Sequence, residues 1–256
     1  DVAPSRGLGD VYKRQVYEAG TAGWREILSD SVVEYMDRQK KSGNLEEEYH
    51  SLGEKQIGLV LQEEEGFPRK LLEIPDPPYG LFYKGKLPEQ KQPSVAVIGA
   101  RECSEYGRFV AEELGRYLGS QEIQVISGMA RGIDGISQQA ALLAGGTSYG
   151  VLGCGVDICY PSQNRKLYEE LIQKGGLLST YAPGTKALPA YFPPRNRIVS
   201  GLADALIVIE ARQKSGTLIT VDMALEQGKD VYVVPGRITD RLSDGCNLSL
   251  IHISEP

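Results

Sequence analysis

Histidine is almost absent from this 256-residue chain, with only His50 and His252. Its four cysteines, Cys103, Cys154, Cys159 and Cys246, form no C-x-x-C pair and no metal-ligand spacing. Structural zinc is therefore not expected, and neither Cys154 nor Cys159 has a histidine nearby in sequence to activate it as a nucleophile. Free thiols in a reducing compartment are the expectation. No apolar run approaches a membrane span and no signal-peptide pattern opens the chain, so a cytoplasmic protein is expected. A surplus of positive charge is also missing: 28 Lys and Arg stand against 34 Asp and Glu, a net charge of −6. Any polyanion partner would need a local basic patch rather than a global field. No G-x-G-x-x-G fingerprint and no Walker lysine motif is found either, which excludes the common dinucleotide and P-loop signatures.

What the chain does have is a repeated strand–glycine–helix pattern. Ser94–Gly99 is a continuous apolar run ending in glycine, as expected of a strand buried on both faces. It leads through Arg101 to Ser104, a candidate N-cap, and Glu105, an acid placed to suit the helix dipole. Further strands are predicted at Gln124–Ile126, Thr147–Leu152, Ala205–Glu210 and Asp230–Pro235. The predicted helices are Tyr106–Leu118, Ile133–Leu143, Asn164–Lys174 and Leu218–Gln227. Such alternation implies a doubly wound, mostly parallel α/β sheet of Rossmann-like type, with ligands held outside the carboxyl ends of the strands.

The motifs at those ends share one chemistry. Gly99, Ala100 and Arg101 follow the first strand, and SGMARGID with Gly128 and Arg131 follows the second. GCGVDICYP follows the third, and EARQKSGTLIT with Lys214, Ser215, Gly216 and Thr217 follows the fourth. FPPRNRIVSG, containing Phe192, Arg195, Asn196 and Arg197, precedes the fourth strand. Glycines allow close backbone approach, helix N-termini supply N–H donors, and Arg offers a fork matched to phosphate. A phosphate-rich ligand is the simplest common cause; the alternative is that each Arg pairs with an acid such as Asp134, Asp157, Asp204 or Glu210. Asp134, Asp157 and Glu210 could act as acids or bases, or could hold loops by hydrogen bonds.

The rest of the chain is less regular. Residues 16–66 read as a partial helical domain, with Trp24, Ile27, Leu28, Val32, Val33 and Met36 at helical spacing and a short strand candidate at Gln56–Gln62. Residues 67–93, dense in proline and aromatics, read as a rigid linker, and 94–247 as the main domain. The ends, Asp1–Gln15 and Leu248–Pro256, break the pattern and resemble translated assembly residue, so a fragment of a longer protein is expected.

GARECSEYG, SGMARGID, GCGVDICYP, FPPRNRIVSGL, KSGTLIT and VPG, in this order, resemble the DNA-processing protein A family, DprA/Smf. The resemblance runs from Glu73 to Asn247, and FPPRNR together with SGMARGID is its specific part. Ala100 departs from the family's common Ser. The resemblance implies a Rossmann-like domain with a small N-terminal helical (SAM-like) appendage and a non-catalytic single-stranded DNA site without cofactor or metal. It further implies homodimers and a role in natural transformation, protecting incoming strands and loading the RecA recombinase. Arg101, Arg131, Arg195, Arg197 and Lys214 would then form a basic groove, although Arg195 or Arg197 could brace the loop instead. Gly99, Gly128, Ser215, Gly216 and Thr217 would offer donors, and Phe192 or Tyr191 could stack on a base or simply pack. A competing reading is a LOG-like phosphoribohydrolase, whose PGGxGTxxE loop Lys214–Gly228 resembles in outline. Here Thr220 stands where its glutamate would be, and Glu226 lies two turns further on.

Overall fold

The structure, a computed structural model, describes residues 45–237 and 239–247, together with Arg25, 29–31, 33–34 and 37–38. The two tails, His252 and the expected apolar positions Trp24, Ile27, Leu28, Val32 and Met36 lie outside the described residues. The chain divides into two units, 1–54 and 55–256. The first contains helix α1 (Leu45–Glu54).

The second unit is built on one eight-stranded sheet. In chain order its strands and helices are β1 (Gly58–Leu61), β2 (Gly80–Gly85), β3 (Ser94–Ile98), α2 (Glu105–Ser120), β4 (Gln124–Ser127), α3 (Ile133–Leu143), β5 (Ser148–Val151), α4 (Arg165–Lys174), β6 (Gly176–Ser179), α5 (Phe192–Gly201), β7 (Ala205–Val208), α6 (Gly216–Glu226) and β8 (Asp230–Val233). Across the sheet the order is β1-β2-β6-β5-β4-β3-β7-β8. The six strands from β6 to β8 are parallel, and β1 and β2 run antiparallel at one edge. Among the described residues no helix is long and apolar enough to cross a membrane.

Successive residues of β3 divide the core between two faces, as the strand period of two requires. Ala96 and Ile98 join Leu206 and Val208 of β7 beneath α5 and α6, against Ile198, Val199, Val221 and Ala224. Val97 points the other way, beneath Ala111 and Leu118 of α2 and Ile133 and Ala141 of α3. A further cluster, with Met129, Leu152, Leu171 and Leu177, lies under α4. Helices α2 and α3 touch backbone to backbone: a Cβ added at Gly115 would sit 2.3 Å from the Ser137 carbonyl oxygen.

The expected boundaries at 66 and 93 do not hold. Residues 55–93 belong to the sheet unit, and the proline-rich stretch is no spacer. Prolines punctuate it, but Phe67, Leu71, Ile74 and Leu81 are each 4% exposed or less and sit in the main core. Lys70 anchors the same stretch, its Nζ donating to Asp204 Oδ2 at 2.7 Å and to Ser94 Oγ at 2.8 Å. Two further elements escape the sequence pattern. β6 is only four residues long, and FPPRNRIVSG is helix α5, where proline is tolerated because it falls in the first turn.

Candidate nucleic-acid interface

The site follows from topology. β3 lies between β4 and β7. The chain leaves β3 for α2 on one face and leaves β7 for α6 on the other. The loops therefore diverge and leave a crevice at the carboxyl ends, the switch point where open α/β sheets bind ligands. A cavity of about 650 Å³ occupies this crevice, and a second of about 430 Å³ adjoins it.

Both cavities are lined by Arg101, Gly128, Arg131, Phe192 and Arg195. Gly99, Asn196, Ser215, Gly216 and Thr217 line the larger one. Ser104 is the N-cap of α2, its hydroxyl accepting from the Gly107 N–H at 3.0 Å, and so fixes the end of the Arg101 loop. The loop's other anchor is Gly132, at φ +72°, where a Cβ would lie 2.2 Å from the Ala100 carbonyl oxygen. Only glycine suits that conformation and that contact. The Thr217 hydroxyl reaches the Gly99 carbonyl at 3.4 Å, and no atom lies within 4 Å of a Cβ built on Gly216. The start of α6 is thus open to the crevice, with its first N–H groups available as anion donors.

The cations separate into two kinds. Arg101 and Arg131 are exposed on the cavity walls. Arg195 is 6% exposed, and its Nη1 donates to the carbonyls of Gly128 at 2.6 Å and Val151 at 2.5 Å. Burial pulls its pKa down, while Asp134 beside it pulls the other way. Asp134 accepts the Gly128 N–H at 3.1 Å, and burial pushes its carboxyl up despite Arg195. Together they grip both polar groups of Gly128. Arg195 is a brace of the crevice floor rather than a free groove cation.

Two other expected groove cations are elsewhere. Arg197 is one helical position pair beyond Arg195 and turns away, pairing with Asp76 at 2.6 Å. Lys214 is exposed at the tip of the turn that Ser215 N–H closes onto the Arg212 carbonyl at 3.1 Å. Neither lines either cavity. Arg212, at the base of that turn, is exposed and lines the larger cavity in their place. Arg212 lies within EARQKSGTLIT, and only the turn geometry distinguishes it from Lys214.

The aromatic wall also differs from expectation. Phe192 is half-buried, with the guanidiniums of Arg101 and Arg195 at 5.5 and 5.7 Å from its ring centre. Tyr160 packs beside it at 5.8 Å with a tilt of 30° and remains 46% exposed, lining both cavities. Tyr191 instead stacks on Tyr181 at 4.3 Å. No sequence signal marks Tyr160 beyond its place in GCGVDICYP.

The acids at the strand ends are engaged with backbone. Besides Asp134, Asp157 accepts the Gly184 N–H at 2.8 Å, and the fully buried Glu210 accepts the Ser104 N–H at 3.0 Å. Thr220, at the position of a LOG-type glutamate, is buried on the larger cavity's wall, while Glu226 is the last residue of α6. Burial pushes the Cys154 thiol up to about 11, away from nucleophilic thiolate character.

The fold is a Rossmann-like α/β protein, a mixed eight-stranded sheet with flanking helices, whose switch-point crevice carries exposed arginines, an open helix N-terminus and an exposed aromatic. Residues 58–253 match the model of the DNA recombination-mediator protein A family, and the chain belongs to that family. It is 45% identical over 181 residues to DNA processing protein DprA of Streptococcus pneumoniae, covering 71% of this chain and 64% of that protein. It is 38% identical over 190 residues to protein Smf of Synechocystis, covering 73% and 48%. The chain thus spans about half to two-thirds of the length of these relatives. The X-ray structure of the Streptococcus pneumoniae DprA matches with a TM-score of 0.74 at 40% identity, covering 80% of this chain and 73% of that one. DprA of Helicobacter pylori, whose structure addresses its unique single-stranded DNA binding mode, matches with a TM-score of 0.70 at 29% identity, covering 78% and 90%.

Proposed function

We propose that this chain binds single-stranded DNA in the switch-point crevice and, as a DprA/Smf protein, protects incoming strands and loads the RecA recombinase in natural transformation. The carrying observation is the crevice itself: Arg101, Arg131 and Arg212 are exposed on its walls in a protein of net charge −6. These side chains and the α6 N-terminus meet backbone phosphates. Tyr160, backed by Phe192, offers its exposed face to a base, the combination that sequence-independent single-strand binding requires. Duplex DNA has no unstacked base to give Tyr160, so single strands are preferred. The engaged acids support a binding site rather than a hydrolytic one. Homodimerisation and a cytoplasmic setting belong to the same reading.

Fluorescence anisotropy tests it, with labelled oligo-dT and a matching duplex across a salt series and Arg101→Ala alongside. Single-strand preference that weakens with salt and falls in the variant is expected. A folded protein that binds neither DNA, or that releases ribose phosphate from AMP, would overturn it.

A further inference from the structure

The crevice does not end at Arg131. The smaller cavity reaches Gln163, and the same Gln163 opens a surface groove of about 520 Å³ between α2, α3 and the start of α4. Gly132, the residue after Arg131, is on the rim of that groove. Its walls carry Arg108, Arg116 and Lys166 against a single lining acid, Glu112, and Leu143, 73% exposed, supplies apolar surface with the half-buried Ile136. Arg108, Glu112 and Arg116 are four residues apart, which places them along one face of α2.

These cations are available. The Arg108 side chain has no hydrogen bond or ion pair among the described residues and is exposed. Arg116 is held only by Glu113 on its own helix, and Lys166 by Glu170 at 3.8 Å. The Arg116 pair is exposed and Lys166 is itself largely in solvent, so both are pairs of small net value, readily exchanged for a phosphate.

Resting on the single-strand reading above, we infer that the groove is a second segment of the DNA path, in which a strand leaving the crevice past Arg131 continues over Gly132 and lies along α2. Arg108 to Arg116 covers about 12 Å of helix axis. That is room for about three further nucleotides at the stacked spacing of about 3.4 Å per phosphate. The apolar surface receives the bases and the arginines receive the backbone. An acidic protein segment is the other occupant such a groove could take, and the test separates the two.

The experiment is a length series of oligo-dT from 4 to 16 nucleotides, measured with the full chain, Arg108→Glu and Arg101→Ala. For the shortest oligonucleotides, which fill only the crevice, Arg108→Glu is expected to match the parent within twofold. With longer ones the parent is expected to gain roughly tenfold, as one or two charge-assisted contacts supply. The variant is expected to lose that gain, and its salt slope to fall by about 0.7 for each phosphate released. Arg101→Ala weakens every length. A variant that tracks the parent at all lengths overturns the groove path and leaves the groove to a protein partner. A parent without any length gain overturns it as well. Failure of the parent to bind at any length would instead overturn the single-strand reading itself.

Discussion

The two ends of β3 handle charge in opposite ways. At its amino end, Asp204 Oδ2 accepts the Ser94 N–H at 2.9 Å and Lys70 Nζ at 2.7 Å, while the Ser94 hydroxyl donates to the Leu202 carbonyl at 2.9 Å. Lys70 and Asp204 are paired there, and the network fastens the segment before β2 to the sheet. At the carboxyl end, Arg101, Arg131 and Arg212 line the crevice with no ion pair among the described residues, and only the buried Arg195 is neutralised from within. One end is finished by folding. The other is left to be completed by a ligand, and its exposed guanidiniums cost little to hold in water. The lesson is that burial and pairing, not residue type, separate a structural arginine from a binding one.

The sharpest test of that division is to exchange the two kinds of arginine. Arg195→Leu removes the cation beside Asp134 and both hydrogen bonds to the strand-end carbonyls. A loss of about 3–5 kcal/mol of stability is expected, the cost of leaving a buried partner uncompensated, measured by urea denaturation at pH 7. Binding should fail with it because the Gly128 loop is no longer held. Arg101→Ala is expected to leave the urea midpoint unchanged while weakening oligo-dT binding by roughly 10- to 100-fold, the range for a charge-assisted hydrogen bond. Equal stability losses in the two variants would erase the distinction.

Tyr160 probes the same end without charge. Tyr160→Ala is expected to weaken oligo-dT by about 1–3 kcal/mol with an unchanged salt slope, and Tyr160→Phe to restore it. An oligonucleotide with abasic sites should bind parent and alanine variant alike. If the alanine variant still distinguishes the two oligonucleotides by the parental margin, the stacking surface lies on Phe192 or elsewhere.

Much of this was legible in the sequence, and the gaps have physical causes. The parallel strands announce themselves because central strands such as SVAVI are buried on both faces and carry unbroken apolar runs. The strand expected at Gln56–Gln62 contains β1, whereas β2 carries no such signal, since it lies in the antiparallel part of the sheet and most of its positions are only partly buried. The prolines around Pro75 to Pro78 then suggested a spacer. They only set turns between the buried anchors Leu71, Ile74 and Leu81. The site motifs place Gly99, Arg101, Gly128, Arg131, Phe192, Asn196, Ser215, Gly216 and Thr217 on one crevice. Helix phase and turn closure decide the rest. Arg195 and Arg197 are two apart on α5 and so point to different sides, and Lys214 is carried to the tip of a turn whose base presents Arg212.

The amino end of β3 offers the smallest effect, and it carries a sign. Burial pushes the Asp204 carboxyl up, but hydrogen bonds from Lys70 and Ser94 outweigh it and hold its pKa below the ordinary aspartate value. A depressed carboxylate contributes stability that is complete above the unfolded-state pKa, about 3.9, and is lost as the pH falls through the lower folded value. The pair is partly solvated, with side-chain exposures of 25% and 52%, so its worth is capped at about 1 kcal/mol. Lys70→Met should therefore cost at most about 1 kcal/mol at pH 7 by urea denaturation. The gap between variant and parent should close as acid protonates Asp204. It should also leave oligo-dT binding unchanged, since Lys70 stands at the opposite end of the strand from the crevice. A gap that persists undiminished in acid would mean that Lys70 acts through its packed methylenes rather than its charge, and the contrast between the two ends of β3 would then be one of packing as well as pairing.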